Sequence, residues 1–425
     1  MSPRPFLTGD PARDQRNVSM LLGAVEELCG SADLETLVRR AVERAVLLSG
    51  AQRGALLLAA PDGRLSVRTA RDRSGKDLTA GFTFSRTVAD RVWRTREPHV
   101  TVDAAGAAGA PPGASIHALR LLSVLAAPLV VKDRALGVLY VDSTAAVKEF
   151  TEGDRALFEA LAGLVAVAHD QAERSRLAAE LEVARSVQAA LLPAEPFAPQ
   201  GCDVAAAAHP CVETMGDYYD SFPLDDGATA LVVGDVSGHG LPAALFMMTA
   251  RAILRTTLRS VATAPEAFVA LNEYFVPHMP SDAYMTLFVG LVAPDAGSLR
   301  WMSAGHNPPM LRGADGTVRE LPLTGTILGK FPGVRHRVDG PVPLGPGDAL
   351  LLYTDGLFES RDAGGELWGE DRLREAFARR AAAGGSSRAV LEGLFADLRA
   401  HVGSRPMDDD VTALLLRVVG TGLRP

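Results

Sequence analysis

Ala230-Leu-Val-Val-Gly-Asp-Val-Ser-Gly-His-Gly240 decides the fold of the C-terminal half of this chain. A short apolar run stops at Asp235, and a glycine-rich turn follows. Runs this short and this apolar read as buried strands. The arrangement recurs. Asp355 ends Ala349-Leu-Leu-Leu-Tyr-Thr354, Asp217 lies in Gly216-Asp-Tyr-Tyr-Asp220, and Asp409 lies in Asp408-Asp-Asp410 just before the run Val411 to Val419. A carboxylate at the end of a buried strand is costly unless its charge is offset. Asp217, Asp235 and Asp355 have no arginine or lysine beside them, and Asp409 has only Arg405 nearby. Divalent cations meet the need. Several carboxylates converging from different strand ends form a hard, all-oxygen site suited to Mg²⁺ or Mn²⁺.

Bulk properties narrow the alternatives. At 425 residues the chain is long enough for more than one domain. It is 47% hydrophobic and 22% charged, so it can build sizeable cores. A net charge of -8 argues against a general nucleic-acid binder and against binding to anionic membranes. Three cysteines, Cys29, Cys202 and Cys211, lie far apart without a Cys-x-x-Cys pair. Neither a zinc site nor a disulfide framework is expected, and a reducing compartment is. The longest apolar stretch, Leu121 to Val131, is too short to span a bilayer, and the N-terminus has no signal-peptide core. A soluble, cytoplasmic protein is expected, with a composition suggesting a high-GC bacterial genome.

Upstream, residues 1–16 read as a flexible tail. A helix opens near Ser31 and Glu35 and runs through Ser49, with Ser31 or Asp33 as its cap. Gly54 to Ala60 and Leu65 to Thr69 read as a hairpin around Pro61-Asp-Gly63. Phe84 to Thr95 reads as helix, and Asp103 to Ser115 as a surface loop. Ser123 to Val131 and Ala135 to Val141 form a second hairpin, and Thr151-x-x-Asp154 opens a long helix. This order, with the segment Ser123-Val-Leu-Ala-Ala-Pro-Leu-Val-Val-Lys-Asp-Arg-Ala-Leu-Gly-Val-Leu-Tyr-Val-Asp142, resembles a GAF domain over residues 17–172. The resemblance implies a sensory module with an antiparallel sheet, flanking helices and a pocket for an unidentified small-molecule or protein signal.

Residues 173–196 read as a helical linker. Leu157, Leu161 and Leu164 form one apolar seam, and Leu177, Leu181, Ala184 and Leu191 another, interrupted by Gln171, Arg174 and Gln188. The spacing fits a coiled coil that would make a homodimer, against the alternative of a helix packed on its own domain.

The segment 197–419 carries six motifs in order: Gly216-Asp-Tyr-Tyr-Asp220, Gly234-Asp-Val-Ser-Gly-His-Gly240, Tyr284-Met-Thr-Leu-Phe288, Ser303-Ala-Gly-His-Asn-Pro308, Leu352-Tyr-Thr-Asp-Gly356 and Asp408-Asp-Asp-Val-Thr412. Together they resemble the PPM (PP2C-like) phosphatases, specifically the bacterial SpoIIE/RsbU branch. Met215 departs from the pattern, standing where the family commonly has a second glycine. The resemblance implies an α+β fold, a sandwich of two antiparallel sheets with helices outside. It implies two Mn²⁺ or Mg²⁺ ions, with Asp235 bridging, Asp355 and Asp409 on the first, and Asp217 and the Val236 carbonyl on the second. Water activated between such ions would attack a phosphoserine or phosphothreonine. The family's usual substrate, a phosphorylated STAS-domain anti-anti-sigma protein, is the implied partner, which places the chain in sigma-factor regulation and signal transduction. The alternative is a catalytically inactive GAF-containing scaffold that binds a regulator. A cyclase or nucleotide phosphodiesterase lacks supporting motifs.

Around these residues, His239 reads as part of a tight turn feeding a helix from Pro242, with a general-acid role as the alternative. His306 is open between a core role and a substrate contact. Asp220, Asp408 and Asp410 read as supporting or turn residues. On the helix from Pro242 to Ser260, Leu245, Met248, Ala252 and Leu258 read as one packed face, and the row Arg251, Arg255, Arg259 as a solvated one.

Overall fold

The protein is represented by a computed structural model that describes residues 33–102, 123–143, 150–212, 214–260 and 264–420, with isolated positions 15, 19, 22 and 23. The N-terminal tail, Ser31, Cys29 and the expected loop at 103–115 lie outside the described residues. The chain divides into two compact units, Met1–Ala178 and Ala179–Pro425.

In the first unit, helix α1 (Leu34–Ser49) starts at Asp33, whose carboxylate accepts from the Thr36 amide at 2.7 Å. Of the two expected caps it is the one seen. Gly50 ends the helix in the left-handed region, φ 70°. Strands β1 (Arg53–Ala59), β2 (Leu65–Asp72), β3 (His99–Val102), β4 (Ser123–Val131) and β5 (Arg134–Ser143) form one antiparallel sheet in the order β2-β1-β5-β4-β3. Both expected hairpins are present. Side-chain alternation splits the core. Leu125, Leu139 and Val141 pack against α1 and the start of α3 (Glu152–Leu191), while Val124, Val138 and Tyr140 pack against α2 (Arg86–Thr95). A buried Asp142 is held by Arg53 at 2.6 and 3.1 Å and by the Tyr140 hydroxyl at 3.0 Å. Helix α3 opens as expected, with Thr151 and Asp154 exchanging hydrogen bonds across the first turn.

The second unit is the expected sandwich. One sheet has the order β13-β10-β9-β8-β7 and the other β12-β11-β14-β15-β6. Its first sheet comprises β7 (Asp217–Pro223), β8 (Thr229–Val236), β9 (Met285–Val292), β10 (Ser298–Ala304) and β13 (Asp339–Pro343). Its second comprises β6 (Cys202–His209), β11 (Met310–Arg312), β12 (Val318–Glu320), β14 (Ala349–Tyr353) and β15 (Val411–Val418). Leu231, Val233 and Phe288 of the first sheet meet Leu350, Leu352, Leu414 and Leu416 of the second. The alternate residues face outward under helices. Val232 and Val236 pack beneath α4 (Leu241–Ser260) and α5 (Ala264–His278). After β14 come the one-turn helix α6 (Gly356–Glu359), then α7 (Glu370–Ala382) and α8 (Ser387–Val402). Leu351, Leu415 and Ala413 pack beneath α7 and α8. Sheets buried on both faces explain why these strands read as nearly continuous apolar runs.

Two expectations for α4 need correction. The buried stripe is Ala243, Met247, Ala250, Leu254 and Leu258, while Leu245 is 55% exposed. The arginine row is only partly solvated. Arg255 forks onto the fully buried Asp220 at 2.7 and 2.8 Å, and Arg251 stands 3.7 Å from the same carboxylate. These arginines thus lie against the buried carboxylate on β7, which would be costly to bury without them.

Candidate metal centre

The inward alternation of both sheets brings the acidic residues to one end of the sandwich. Asp217 opens β7 and Asp235 lies one residue before the end of β8, and the two are direct cross-strand partners. Partners in an antiparallel pair project from the same face with Cβ atoms ~4.5–5.5 Å apart. That face is the inner one, because Leu231 and Val233 share it with Asp235. From the opposite sheet, Thr354 follows β14 and its hydroxyl donates to Asp217 at 2.9 Å. The Thr412 amide donates to that same hydroxyl oxygen at 3.0 Å, so Thr354 ties the two sheets together at the site.

Asp355 comes next in the chain and stands at the N-cap of α6, yet its side chain caps nothing. A turn or capping role therefore does not explain its carboxylate. Asp409 is exposed in the segment leading into β15 and accepts from the Asp410 amide at 2.8 Å. Asp410 is buried and holds backbone. Its two oxygens accept from the Cys211 amide at 2.9 Å and the Gly216 amide at 2.7 Å. Gly216 has a steric reason to be glycine, since a Cβ there would lie 2.9 Å from the Val236 carbonyl oxygen. That carbonyl thus borders the same segment as Asp217.

The electrostatics report the crowding. Burial raises the Asp217 pKa well above the usual carboxylate range, and the Asp235 charge raises it further. Asp235 is raised likewise, by burial and then by Asp355, Asp409 and Asp410. Burial and the neighbouring Asp409 push Asp355 up to about 6. Asp409 is raised too, by the protein packed around its carboxyl and then by the Asp410 charge, although the residue as a whole reaches solvent. Among the described residues no arginine or lysine pairs with any of these four; Arg405, the expected neighbour of Asp409, pairs with Asp408 at 2.9 Å. Nor are any three histidine, cysteine, aspartate or glutamate side chains among the described residues drawn into a ready metal-ligating cluster. The candidate donors gathered near this end, carboxylates and a backbone carbonyl, are all hard oxygen, a chemistry that suits Mg²⁺ or Mn²⁺ better than a soft metal.

The two histidines separate cleanly. His239 is exposed between Gly238 and Gly240, both in the left-handed region at φ 89° and 80°. His306 is 1% exposed, shares a 2.8 Å hydrogen bond with the Thr286 hydroxyl, and has its pKa pulled by burial down to about 4. It is a neutral residue of the core behind Asp235, whose strand partner is Thr286, and it is closed off from solvent. Thr354, Thr412 and the backbone role of Asp410 were not among the sequence-derived site residues. Period-2 alternation through Leu350-Leu352-Thr354 and Leu416-Leu414-Thr412 carries that signal.

This fold and site define a PP2C-like phosphatase domain. Residues 225–419 match the family model for Stage II sporulation protein E (SpoIIE), and residues 31–170 match that of the GAF domain. The chain thus carries a SpoIIE (PP2C-like) phosphatase domain and, ahead of it, a GAF domain. The SpoIIE match contains Asp235, Asp355 and Asp409, while Asp217 lies just ahead of it. The chain is 29% identical to Protein IcfG of Synechocystis sp. over 262 residues, 55% of this chain and 41% of that one. It is 26% identical to phosphoserine phosphatase RsbU of Bacillus subtilis over 195 residues, 46% of this chain and 58% of RsbU. The chain thus spans about half the length of the curated relatives it matches. Among solved structures, the SiaA-PP2C domain of Pseudomonas aeruginosa aligns with a TM-score of 0.50 at 25% identity, covering 58% of this chain and 98% of that domain.

Proposed function

We propose that the chain is a metal-dependent protein serine/threonine phosphatase of signal transduction, with a GAF sensor at residues 17–172, a helical linker at 173–196 and a catalytic domain at 197–419. The observation that carries this reading is the direct pairing of Asp217 with Asp235 on the inner face, joined at the same end by Asp355 and Asp409, with no arginine or lysine among the described residues paired to any of them. Paired divalent cations supply Lewis-acid activation of water and neutralise charge on a phosphoryl group. The chain's own residues hold the place where that occurs. Asp235 would be shared between the cations, Asp355 and Asp409 would hold one of them, and Asp217 with the Val236 carbonyl would hold the other. Thr354 fixes the Asp217 carboxylate by donating to it. Neither free cysteine among the described residues offers a nucleophile. Burial pushes Cys202 up to about 11, and burial with the Asp410 charge pushes Cys211 up to about 12, so both remain thiols at neutral pH.

The substrate class follows from the named activity of RsbU, a phosphoserine phosphatase. Phosphoserine or phosphothreonine on a STAS-domain anti-anti-sigma protein is the proposed substrate, which makes the chain a regulator of a sigma factor. No helix among the described residues is long and apolar enough to cross a membrane, in keeping with a cytoplasmic site of action. Pairing of α3 with a second copy would make a homodimer, which the exposed Leu177 and Leu191 support. The test is hydrolysis of a phosphoserine peptide with added Mn²⁺. Wild type should turn over and Asp235→Asn should fall to background. Undiminished hydrolysis by Asp235→Asn would refute the metal assignment, and a wild type inert with both Mn²⁺ and Mg²⁺ would favour the scaffold.

A further inference from the structure

The last turns of α3 bury the wrong residue. Val183 is 64% exposed and Val187 50% exposed, while the polar Gln188 between Val187 and Ala189 is only 4% exposed. Buried glutamine beside exposed valine inverts the usual preference and calls for a specific partner. The partner is one peptide segment. The Gln188 Nε2 donates to the Met215 carbonyl at 2.6 Å, and the Gln188 Oε1 accepts from the Met215 amide at 3.0 Å. A carboxamide carries a donor and an acceptor side by side and so satisfies both backbone groups of a single residue. Reversing the amide would set N–H against N–H and oxygen against oxygen, so the network admits one orientation.

Met215 is two residues from Asp217. The intervening Gly216 donates its amide to Asp410 at 2.7 Å, and its carbonyl accepts from the Val236 amide at 3.4 Å. The segment Met215–Asp217 is therefore held from three directions: by the helix through Gln188, by the second sheet through Asp410, and by β8 through Val236. Nothing covalent restrains it on the helix side. We infer that Gln188 is a positioning residue for the metal centre, setting the backbone that aims Asp217 at Asp235 and thereby setting cation affinity from the linker helix. This rests on the metal reading proposed above. It also gives that helix a direct point of purchase on the site, so that a displacement of its last turns would be felt first at Met215.

The test is Mn²⁺ binding to the full chain, followed by the electron paramagnetic resonance of free Mn²⁺ and paired with melting of the metal-free protein. Gln188→Leu keeps the volume and loses both hydrogen bonds. Gln188→Glu keeps an acceptor for the Met215 amide but opposes its carbonyl. Val187→Ala, at an exposed position, is the control. Supporting groups behind metal ligands typically contribute 10–100-fold to affinity. Both Gln188 variants should melt somewhat lower without metal but still fold cooperatively, and should bind Mn²⁺ about tenfold or more weakly at a temperature where they are fully folded, with Val187→Ala unchanged. Folded Gln188 variants with wild-type affinity would overturn the assignment. Loss of folding in both would make Gln188 a packing residue and overturn it equally. A wild type that binds no Mn²⁺ would instead sink the metal reading itself, so the two failures are distinguishable.

Discussion

Asp355→Asn should make the metal-free protein more stable, although it removes a residue proposed to be essential for activity. The Asp355 carboxyl is pushed from its ordinary 3.8 up to about 6, by burial first and then by the Asp409 and Glu359 charges. A shift of this kind corresponds to ~1.4 kcal/mol per unit, hence ~3 kcal/mol. Screening of a partly exposed group reduces this to ~2 kcal/mol. The sign follows from proton binding. Between about 3.8 and about 6 the folded protein retains a proton that the unfolded chain has released. Stability is therefore highest below this window, falls as pH rises through it, and stays low above it. Asparagine removes the penalty. For a unit of this size, ~2 kcal/mol corresponds to a rise of ~4–8 °C in melting temperature. Thermal melts in chelator from pH 4.5 to 8 would show it: a variant advantage at pH 7.5 that shrinks towards pH 4.5. With Mn²⁺ added the order should reverse, because only wild type gains the stabilisation of a bound ligand. An Asp355→Asn protein that melts lower at pH 7.5 in chelator, or whose difference from wild type is the same at both ends of the pH range, would refute the reasoning.

Other predictions concern the frame around the site. Arg255→Ala leaves the fully buried Asp220 with only Arg251 at 3.7 Å, the Tyr218 hydroxyl at 3.0 Å and the Ser221 amide at 2.9 Å. Breaking a buried pair costs ~3–5 kcal/mol; with those partners remaining, a loss of ~2–3 kcal/mol is expected in urea unfolding, and a loss under 0.5 kcal/mol would show the pair to be incidental. Gly216→Ala places a methyl group 2.9 Å from the Val236 carbonyl, so it should weaken Mn²⁺ binding while leaving the Met1–Ala178 unit intact. Unchanged affinity would remove the claim that this segment is sterically set.

The fold was legible where the chemistry is local. Apolar runs of strand length, the Pro61-Asp-Gly63 turn and the Thr151/Asp154 exchange each announce an element from neighbouring residues. The acidic set was legible for the same reason, since each aspartate interrupts or borders an apolar run. What the sequence concealed depends on partners distant in the chain. Arg251 and Arg255 look like a solvated row because their spacing is the only local information; the buried Asp220 that claims them lies on β7, 35 residues before Arg255. The packed face of α4 was misplaced for the same reason. Gln188 read as a flaw in an apolar seam, because nothing near it in sequence shows that it meets the Met215 backbone 27 residues on. Asp410 read as a supporting or turn residue, and local sequence does not show which it is, because its two oxygens serve amides 194 and 199 residues away.

Crystals grown with Mn²⁺ and measured at the manganese absorption edge test the central claim most directly. Two anomalous peaks ~3.5–4 Å apart should lie between Asp235 and the carboxylates of Asp217, Asp355 and Asp409. Their absence at this end of the sandwich at saturating Mn²⁺, or peaks bound only by other residues, would contradict the account.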